Sequence, residues 1–212
     1  MGKGELRMAM QDYKKLSKDA FNAQAETYDT DKNGKHAREQ YPYVLKKISQ
    51  MNFRSVLDVG CGTGEVLKSI SEEYPDVRLY GIDISEEMLK QAKAKLNRKA
   101  VLSAGDADHI PFTNNEFDLI VCTDSFHHYP NPQQAVDEFY RMLKTGKFLA
   151  LCDFWKPFPI RQMMNIFLPY SNEGDVKVYS KQEIIRFLQK SGFKNIDYSQ
   201  TDRSGYCVVA QK

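Results

Sequence analysis

The sequence lacks several features that would settle its class early. It has no C-x-x-C pair: Cys61, Cys122, Cys152 and Cys207 are scattered, three of them inside apolar runs. In a chain of 212 residues that spacing argues against a disulfide framework. It predicts reduced thiols, buried as small hydrophobes in a cytoplasmic protein. No histidine cluster supplies metal-ligand spacing, so no metal is expected. No apolar run approaches the ~18 residues of a membrane span. The opening MGKGELRMAMQDYKKLSKDA has no uninterrupted apolar segment of the secretory kind, and Leu6 stands where a myristoylation signal wants Ser or Thr. Charge of one sign is lacking too. Thirty Lys and Arg oppose 28 Asp and Glu, for a net charge of +2. No strong field therefore draws the chain to nucleic acid, which is not expected as a partner.

What remains is the composition of an ordinary globular domain, 42% hydrophobic and 27% charged. The length suits one domain, residues 1–212, with a sizeable core. Residues 1–50 read as a helical cap, with Val44, Leu45 and Ile48 at helical spacing. From Ser55 onward, short apolar runs alternate with helical segments. Strands are predicted at Val56–Val59, Leu79–Ile84, Ala100–Ser103, Phe117–Cys122 and Lys147–Cys152, with two more around Ile196 and Cys207–Ala210. Helices fall between them: one from Glu65, one capped by Ser85, one opened by Asn131-Pro132 and stopped by Gly146. A last helix is opened by the capping box of Ser180 and Glu183. Alternation of this kind implies a doubly wound, mostly parallel seven-stranded α/β sheet. The final two strands have no helix between them and form an antiparallel hairpin at one edge. Residues 154–178, dense in Pro and aromatics, interrupt the rhythm and suggest either a lid built on Phe154, Trp155, Phe158, Phe167 and Tyr170 or an ordinary helical insertion that buries these rings in a local core.

The most informative stretch is Val56-Leu-Asp-Val-Gly-Cys-Gly-Thr-Gly-Glu65. A buried strand runs into Gly60, Gly62 and Gly64 and then into a helix. Three alternating glycines exceed what a tight turn needs, and they admit a ligand close to the backbone. The dinucleotide fingerprint would need glycine at position 65, where Glu65 stands. A pyrophosphate would meet that carboxylate at the helix N-terminus, so the spacing suits a ligand without phosphates.

Asp58-Val-Gly-Cys-Gly-Thr-Gly resembles motif I of the class I S-adenosylmethionine-dependent methyltransferases. Three further segments match that family in order: Gly81-Ile-Asp-Ile-Ser, Gly105-Asp-Ala-Asp and Phe117-Asp-Leu-Ile-Val-Cys-Thr. Arg141-Met-Leu-Lys-Thr-Gly-Lys is similar to its helix-to-strand turn, with Thr145 where Pro is usual. The resemblance implies a Rossmann-like methyltransferase fold that binds S-adenosylmethionine and releases S-adenosylhomocysteine. It places Asp83 on the ribose hydroxyls, a role that suits a carboxylate facing a vicinal diol. It sets Asp106 and Ala107 at the adenine edge, and gives Asp58, Gly60, Cys61, Gly62, Gly64, Ile84, Met88 and Thr123 as further cofactor-site residues. Ala25-Glu-Thr-Tyr-Asp29 and Phe126-His-His-Tyr-Pro130 resemble segments of the small-molecule, quinone-biosynthesis type; there Tyr28 would close over the methionine end.

Methyl transfer from a sulfonium needs orientation rather than a protein nucleophile or a metal, and neither is found. Some acceptors must lose a proton, and His127, just past the fourth strand, is the candidate base; Asp124 and Tyr28 are weaker ones. Neither N-P-P-Y nor D-P-P-Y, the motif that grips nucleobase amines in relatives, follows that strand. A nicotinamide oxidoreductase and a non-catalytic sensor of S-adenosylmethionine are the competing readings. The acceptor and the oligomeric state are left open.

Overall fold

The structure, a computed structural model, describes residues 3–201 and 204–212. Two helices come first, α1 (Lys3–Gln24) and α2 (Lys35–Ile48). The alternating region follows: β1 (Ser55–Val59), α3 (Glu65–Glu73), β2 (Arg78–Asp83), α4 (Glu86–Leu96), β3 (Ala100–Ala104) and β4 (Phe117–Thr123). After a 3-10 turn at Phe126–His128 come α5 (Pro132–Met142) and β5 (Leu143–Phe154). A short helix, α6 (Ile160–Phe167), precedes α7 (Lys181–Ser191), β6 (Lys194–Gln200) and β7 (Gly205–Gln211).

The strands form one seven-stranded sheet in the order β3-β2-β1-β4-β5-β7-β6. The first five strands in the chain pair in parallel, as buried runs joined by helices require, and β7 is antiparallel to both β5 and β6. The terminal hairpin thus lies at one edge, with its second strand turned inward. Strand alternation builds a core on each face. Val56 packs with Val44 and Ile48 of α2, Leu67 and Ile70 of α3, and Leu89 and Ala92 of α4. Its neighbour Leu57 packs on the other face with Val136 and Phe139 of α5 and Ile184 and Leu188 of α7. The predicted face of α4, Met88, Leu89, Ala92 and Leu96, is fully buried. α5 begins at Pro132, as the Asn131-Pro132 pair suggested, and both side-chain caps that sequence suggested are made. Ser85 accepts from the Met88 N–H, and Ser180 and Glu183 close a reciprocal capping box, each cap worth about 1 kcal/mol.

Two expectations are corrected. Cys152 and Cys207, predicted as free thiols, are joined as a disulfide, with Cα atoms 4.0 Å apart. They face each other directly in the β5–β7 ladder, a juxtaposition set by strand register rather than by any spacing motif. Cys61 and Cys122 are free and buried as expected. Gly146 does not stop α5. That helix ends at Met142, and Leu143 already pairs with Phe117 before the ladder shifts register. Gly146, with φ of +77°, instead lies within β5. In the 154–178 segment, Phe158, Phe167 and Tyr170 are exposed, so these three form no local core, while Trp155 packs on the main core. Among the described residues no helix is long and apolar enough to cross a membrane.

Candidate active site

The C-terminal edge of the parallel strands is where a doubly wound sheet leaves a crevice. Here the backbone leaves β1 through Gly60, Gly62 and Gly64, all with positive φ. The N–H groups of Gly60 and Cys61 donate to the Ile82 carbonyl at 2.9 and 3.0 Å, holding the loop against the end of β2. Asp83 completes the stitch: Oδ2 accepts from the Gly62 N–H and Oδ1 from the Ser85 N–H, both at 2.8 Å. The two outer glycines are needed for packing. A Cβ on Gly60 would stand 2.0 Å from Ser125 Oγ, and one on Gly64 would press Ala92 and Leu96 of α4 at 3.1 Å. A Cβ on Gly62 would meet nothing within 4 Å, so that position faces open space.

That space is a cavity of about 930 Å³, including solvent at its mouth. Asp58, Gly60, Cys61 and Gly62 line one side, Asp83, Ile84 and Met88 another, and Asp106, Ala107 and Thr123 the far wall. Tyr28 lies at one end, and Lys14, Ser17 and Phe21 of α1 roof it. Asp58 Oδ1 and Thr123 Oγ1 are buried there without a hydrogen-bond partner. Burial, reinforced by the Asp83 charge, lifts the Asp58 carboxyl to about 8. Asp83 is also raised by burial, with the Ser85 and Gly62 N–H groups pulling the other way. The Asp58 and Asp83 carboxyls and the unpaired Thr123 hydroxyl, in a wall that also carries Lys14, Asp106, Asp108 and Asp124, suit a ligand carrying hydroxyl and amino donors.

A second cavity adjoins the first. Phe21, Tyr28, Asp124 and His128 line both, so they stand at the junction. The further walls are His36, His127, Phe154, Glu173 and Asp175, with Met164 and Leu168 from the 154–178 segment. His127 Nδ1 is 2.5 Å from Asp153 Oδ1, and the His127 N–H donates to Asp153 Oδ2 at 3.0 Å. Burial works against a charge on His127, but Asp153, Asp124 and Asp175 outweigh it and raise its pKa. His128 moves the other way, lowered by burial and by the charge of its neighbour.

Eleven of the predicted cofactor-site residues line the first cavity: most stand at or just past strand ends, Met88 comes from α4, and Tyr28 from the segment between α1 and α2. Gly64 stands apart from the cavity wall, and His127 belongs to the second cavity alone. Residues that no motif announced include Lys14, which bridges Asp106 and Asp108 at 2.5 and 2.6 Å. Asp29, the last residue of the Ala25–Asp29 segment, was given no role by sequence; it accepts from Thr63 Oγ1 at 2.5 Å and ties the Tyr28 segment to the glycine loop. Asp153 and Asp175 were also missed. Asp153 ends an apolar strand and Asp175 lies in an irregular stretch, so neither carries a local signal.

Comparison with known proteins agrees with this geometry. A family described as a methyltransferase domain matches residues 57–151. A demethylmenaquinone methyltransferase of Lactiplantibacillus plantarum is 28% identical, over 78% of this chain and 80% of its own. A malonyl-[acyl-carrier protein] O-methyltransferase of Coxiella burnetii is also 28% identical, over 88% of this chain and 73% of its own. The chain belongs to the class I S-adenosylmethionine-dependent methyltransferases. Its fold is shared with an S-adenosylmethionine-dependent methyltransferase of Thermotoga maritima, at a TM-score of 0.71 and 19% identity over 91% of this chain and 98% of that one. As a methyltransferase it draws its methyl group from S-adenosylmethionine, and the first cavity fits that cofactor. The unpartnered Asp58 and Thr123 oxygens offer acceptors to an ammonium group, the Asp83 carboxylate to a diol, and Met88 and Ile84 an apolar wall.

Proposed function

We propose that this methyltransferase holds S-adenosylmethionine in the first cavity and methylates a small-molecule acceptor that enters through the second. When bound, the cofactor supplies an electrophilic methyl on a sulfonium. The chain supplies position. Asp83 accepts from the ribose hydroxyls with the lone pairs that Gly62 and Ser85 leave unused. Asp106 and Ala107 meet the adenine edge, with Ile84 and Met88 packing against the base. Gly60, Cys61 and Gly62 let the backbone come close to the amino-acid end, where Asp58 and Thr123 sit. Tyr28 closes the methionine end. At the junction Tyr28, Asp124 and His128 face both cavities, and orientation there carries much of the rate, about 7–11 kcal/mol for a well-aligned displacement.

His127 is proposed to handle the acceptor's proton. Asp153 fixes its Nδ1 side, so Nε2 faces the second cavity. The 154–178 segment is proposed as a lid, on the ground that Met164 and Leu168 line that cavity. The chain is read as one domain working in the cytoplasm on a small molecule; the L. plantarum relative is named for methylating demethylmenaquinone and the C. burnetii relative for methylating malonyl-[acyl-carrier protein].

The observation that carries the reading is the Asp83 carboxylate at the end of β2, bound to Gly62 and facing the same cavity as the unpartnered Asp58. Isothermal titration with S-adenosylmethionine tests it. Wild-type protein is expected to bind saturably, and Asp83→Ala to lose about 1–3 kcal/mol through its charged hydrogen bonds. Equal affinity in both proteins would remove Asp83 from the site.

A further inference from the structure

His127, His128 and Asp175 converge on one point of the second cavity from two separate stretches of chain. His127 Nε2 lies 3.5 Å, and His128 Nδ1 3.7 Å, from the same oxygen, Asp175 Oδ1. All three atoms fall within 4.8 Å of one another. These separations exceed the ~2.7–3.2 Å of a hydrogen bond. They lie at or somewhat beyond the roughly 3–3.5 Å that separates ligand atoms each ~2.1 Å from one metal, so a small inward shift lets the three share an ion. We propose that His127, His128 and Asp175 bind a single divalent transition-metal ion at the floor of the acceptor cavity.

Each ligand is held from behind. The His127 Nδ1–H faces Asp153 Oδ1 at 2.5 Å, which leaves the Nε2 lone pair directed into the cavity. A carboxylate behind a histidine is the usual outer partner of a metal-bound imidazole. Asp175 Oδ2 accepts from Ser171 Oγ at 2.5 Å, leaving Oδ1 for the ion. The Val176 and Lys177 N–H groups both donate to the His127 carbonyl, at 2.9 and 3.2 Å, and so staple Asp175 beside the histidine pair. His128 gives the independent sign. Its side chain is 9% exposed, yet Nδ1 has no hydrogen-bond partner. A buried ring nitrogen left unpaired is costly, and an ion would satisfy it.

The other close group, Asp124, His127 and Asp153, is already spent internally. Asp153 Oδ1 accepts from the Phe154 N–H as well as facing His127, and Asp124 Oδ1 faces His36 at 2.6 Å. Two imidazoles and one carboxylate favour zinc, cobalt, nickel or ferrous iron over the oxygen-seeking calcium and magnesium. Three protein ligands leave a coordination position open toward the cavity. On the methyl-transfer reading, on which this role but not the site itself rests, a hydroxyl-bearing acceptor fills that position. With the ion in place His127 Nε2 is a ligand and no longer the base, so the acceptor's proton is released to water on coordination, and its oxygen then forms the bond to the methyl as the sulfur–carbon bond breaks.

Chelator-treated full-length protein titrated with Co²⁺ tests the site directly, because histidine-bound cobalt shows visible d–d bands. One equivalent is expected to bind, with bands that Zn²⁺ bleaches. Asp175→Asn and His128→Gln should each lose the bands or weaken binding more than tenfold. Asp153→Asn, which alters only the outer partner, should weaken it roughly 10–100-fold. Circular dichroism and thermal melting are read on the same samples to show that the variants fold. Wild-type protein that binds S-adenosylmethionine but not Co²⁺ would overturn the metal site alone. Co²⁺ binding that all three variants retain would show surface ions and overturn it equally. Co²⁺ binding without S-adenosylmethionine binding would leave the metal site standing and sink the cofactor reading.

Discussion

The Nδ1 of His36 stands 2.6 Å from Oδ1 of Asp124, joining α2 to the loop that leaves β4. Asp124 holds a left-handed backbone, φ +53°, at the junction of the two cavities. The other ring nitrogen of His36 lies 3.1 Å from the Ser204 carbonyl, so the protonated imidazole satisfies two acceptors at once.

Burial alone would lower the His36 pKa, but the Asp124 hydrogen bond and charge, with Ser204 and Asp153, carry it above its ordinary value. A group whose folded-state pKa is raised contributes stability that is fully present below its unfolded value, near 6.5. That contribution is lost as pH climbs through the folded-state value. The melting temperature of the wild-type protein should therefore fall across this window more steeply than that of His36→Gln. Below pH 6.5 the variant should be less stable by roughly 1.5–3 kcal/mol, the worth of a charged hydrogen bond. For a chain of this length that is several degrees. Parallel melting curves against pH would show that His36 is not charged in the fold.

Gly60 and Gly62 sit two residues apart with similar positive φ, +76° and +51°, yet their substitution should separate stability from binding. Gly60→Ala drives a Cβ to 2.0 Å from Ser125 Oγ, whose hydroxyl is itself 2.7 Å from Tyr129 Oη. It should lower stability by the left-handed strain, ~1–2 kcal/mol, plus the disruption of that contact. Gly62→Ala carries only the strain, because its Cβ enters open space. If that space holds the cofactor, Gly62→Ala should fold nearly normally and bind S-adenosylmethionine far more weakly. Thermal melts and titration on both variants decide the matter. Unchanged affinity in Gly62→Ala would move the ligand away from the loop.

The contrast between these glycines also marks what sequence could and could not tell. The mostly parallel sheet and its edge hairpin were legible from apolar runs alternating with helices, whereas the strand order was not; the residues predicted around the cofactor gather at one cavity because parallel connection brings the ends of those runs together. Asp83 was read as a ribose contact from its place after β2. Its grip on Gly62 needs the loop geometry, which spacing does not supply. The Cys152–Cys207 bridge was invisible for a related reason: it depends on the register of β7 against β5, not on how far apart the cysteines lie in the chain. His127 and His128 were visible as a pair. Asp153 and Asp175 come to them from a strand end and an irregular segment, and only packing joins the four. The N-terminal cap was foreseen as helical, but which of its side chains reach the cavity was not.

Lys14 is the sharpest case. From α1 it reaches Asp106 Oδ2 at 2.5 Å and Asp108 Oδ2 at 2.6 Å, pinning the helix over the first cavity. Burial disfavours its charge, yet the two carboxylates prevail and raise its pKa, so the clasp stays charged at neutral pH. Asp108 is almost fully buried and keeps one other donor, Asn131 Nδ2 at 2.8 Å. Lys14→Met preserves much of the side-chain length and removes the charge. Asp108 then loses its cation while retaining the amide, so the expected loss is roughly 1–2 kcal/mol, below the ~3–5 of a wholly orphaned buried charge. The larger effect should be kinetic. With the roof unpinned, S-adenosylmethionine should dissociate several-fold faster, measured by stopped-flow displacement, while Lys14→Arg keeps most of the slow release. Equal dissociation from wild type and Lys14→Met would mean that α1 rests on the cavity without closing it, and that the Tyr28 segment, tied to the glycine loop by Asp29 and Thr63, is the part that retains the cofactor.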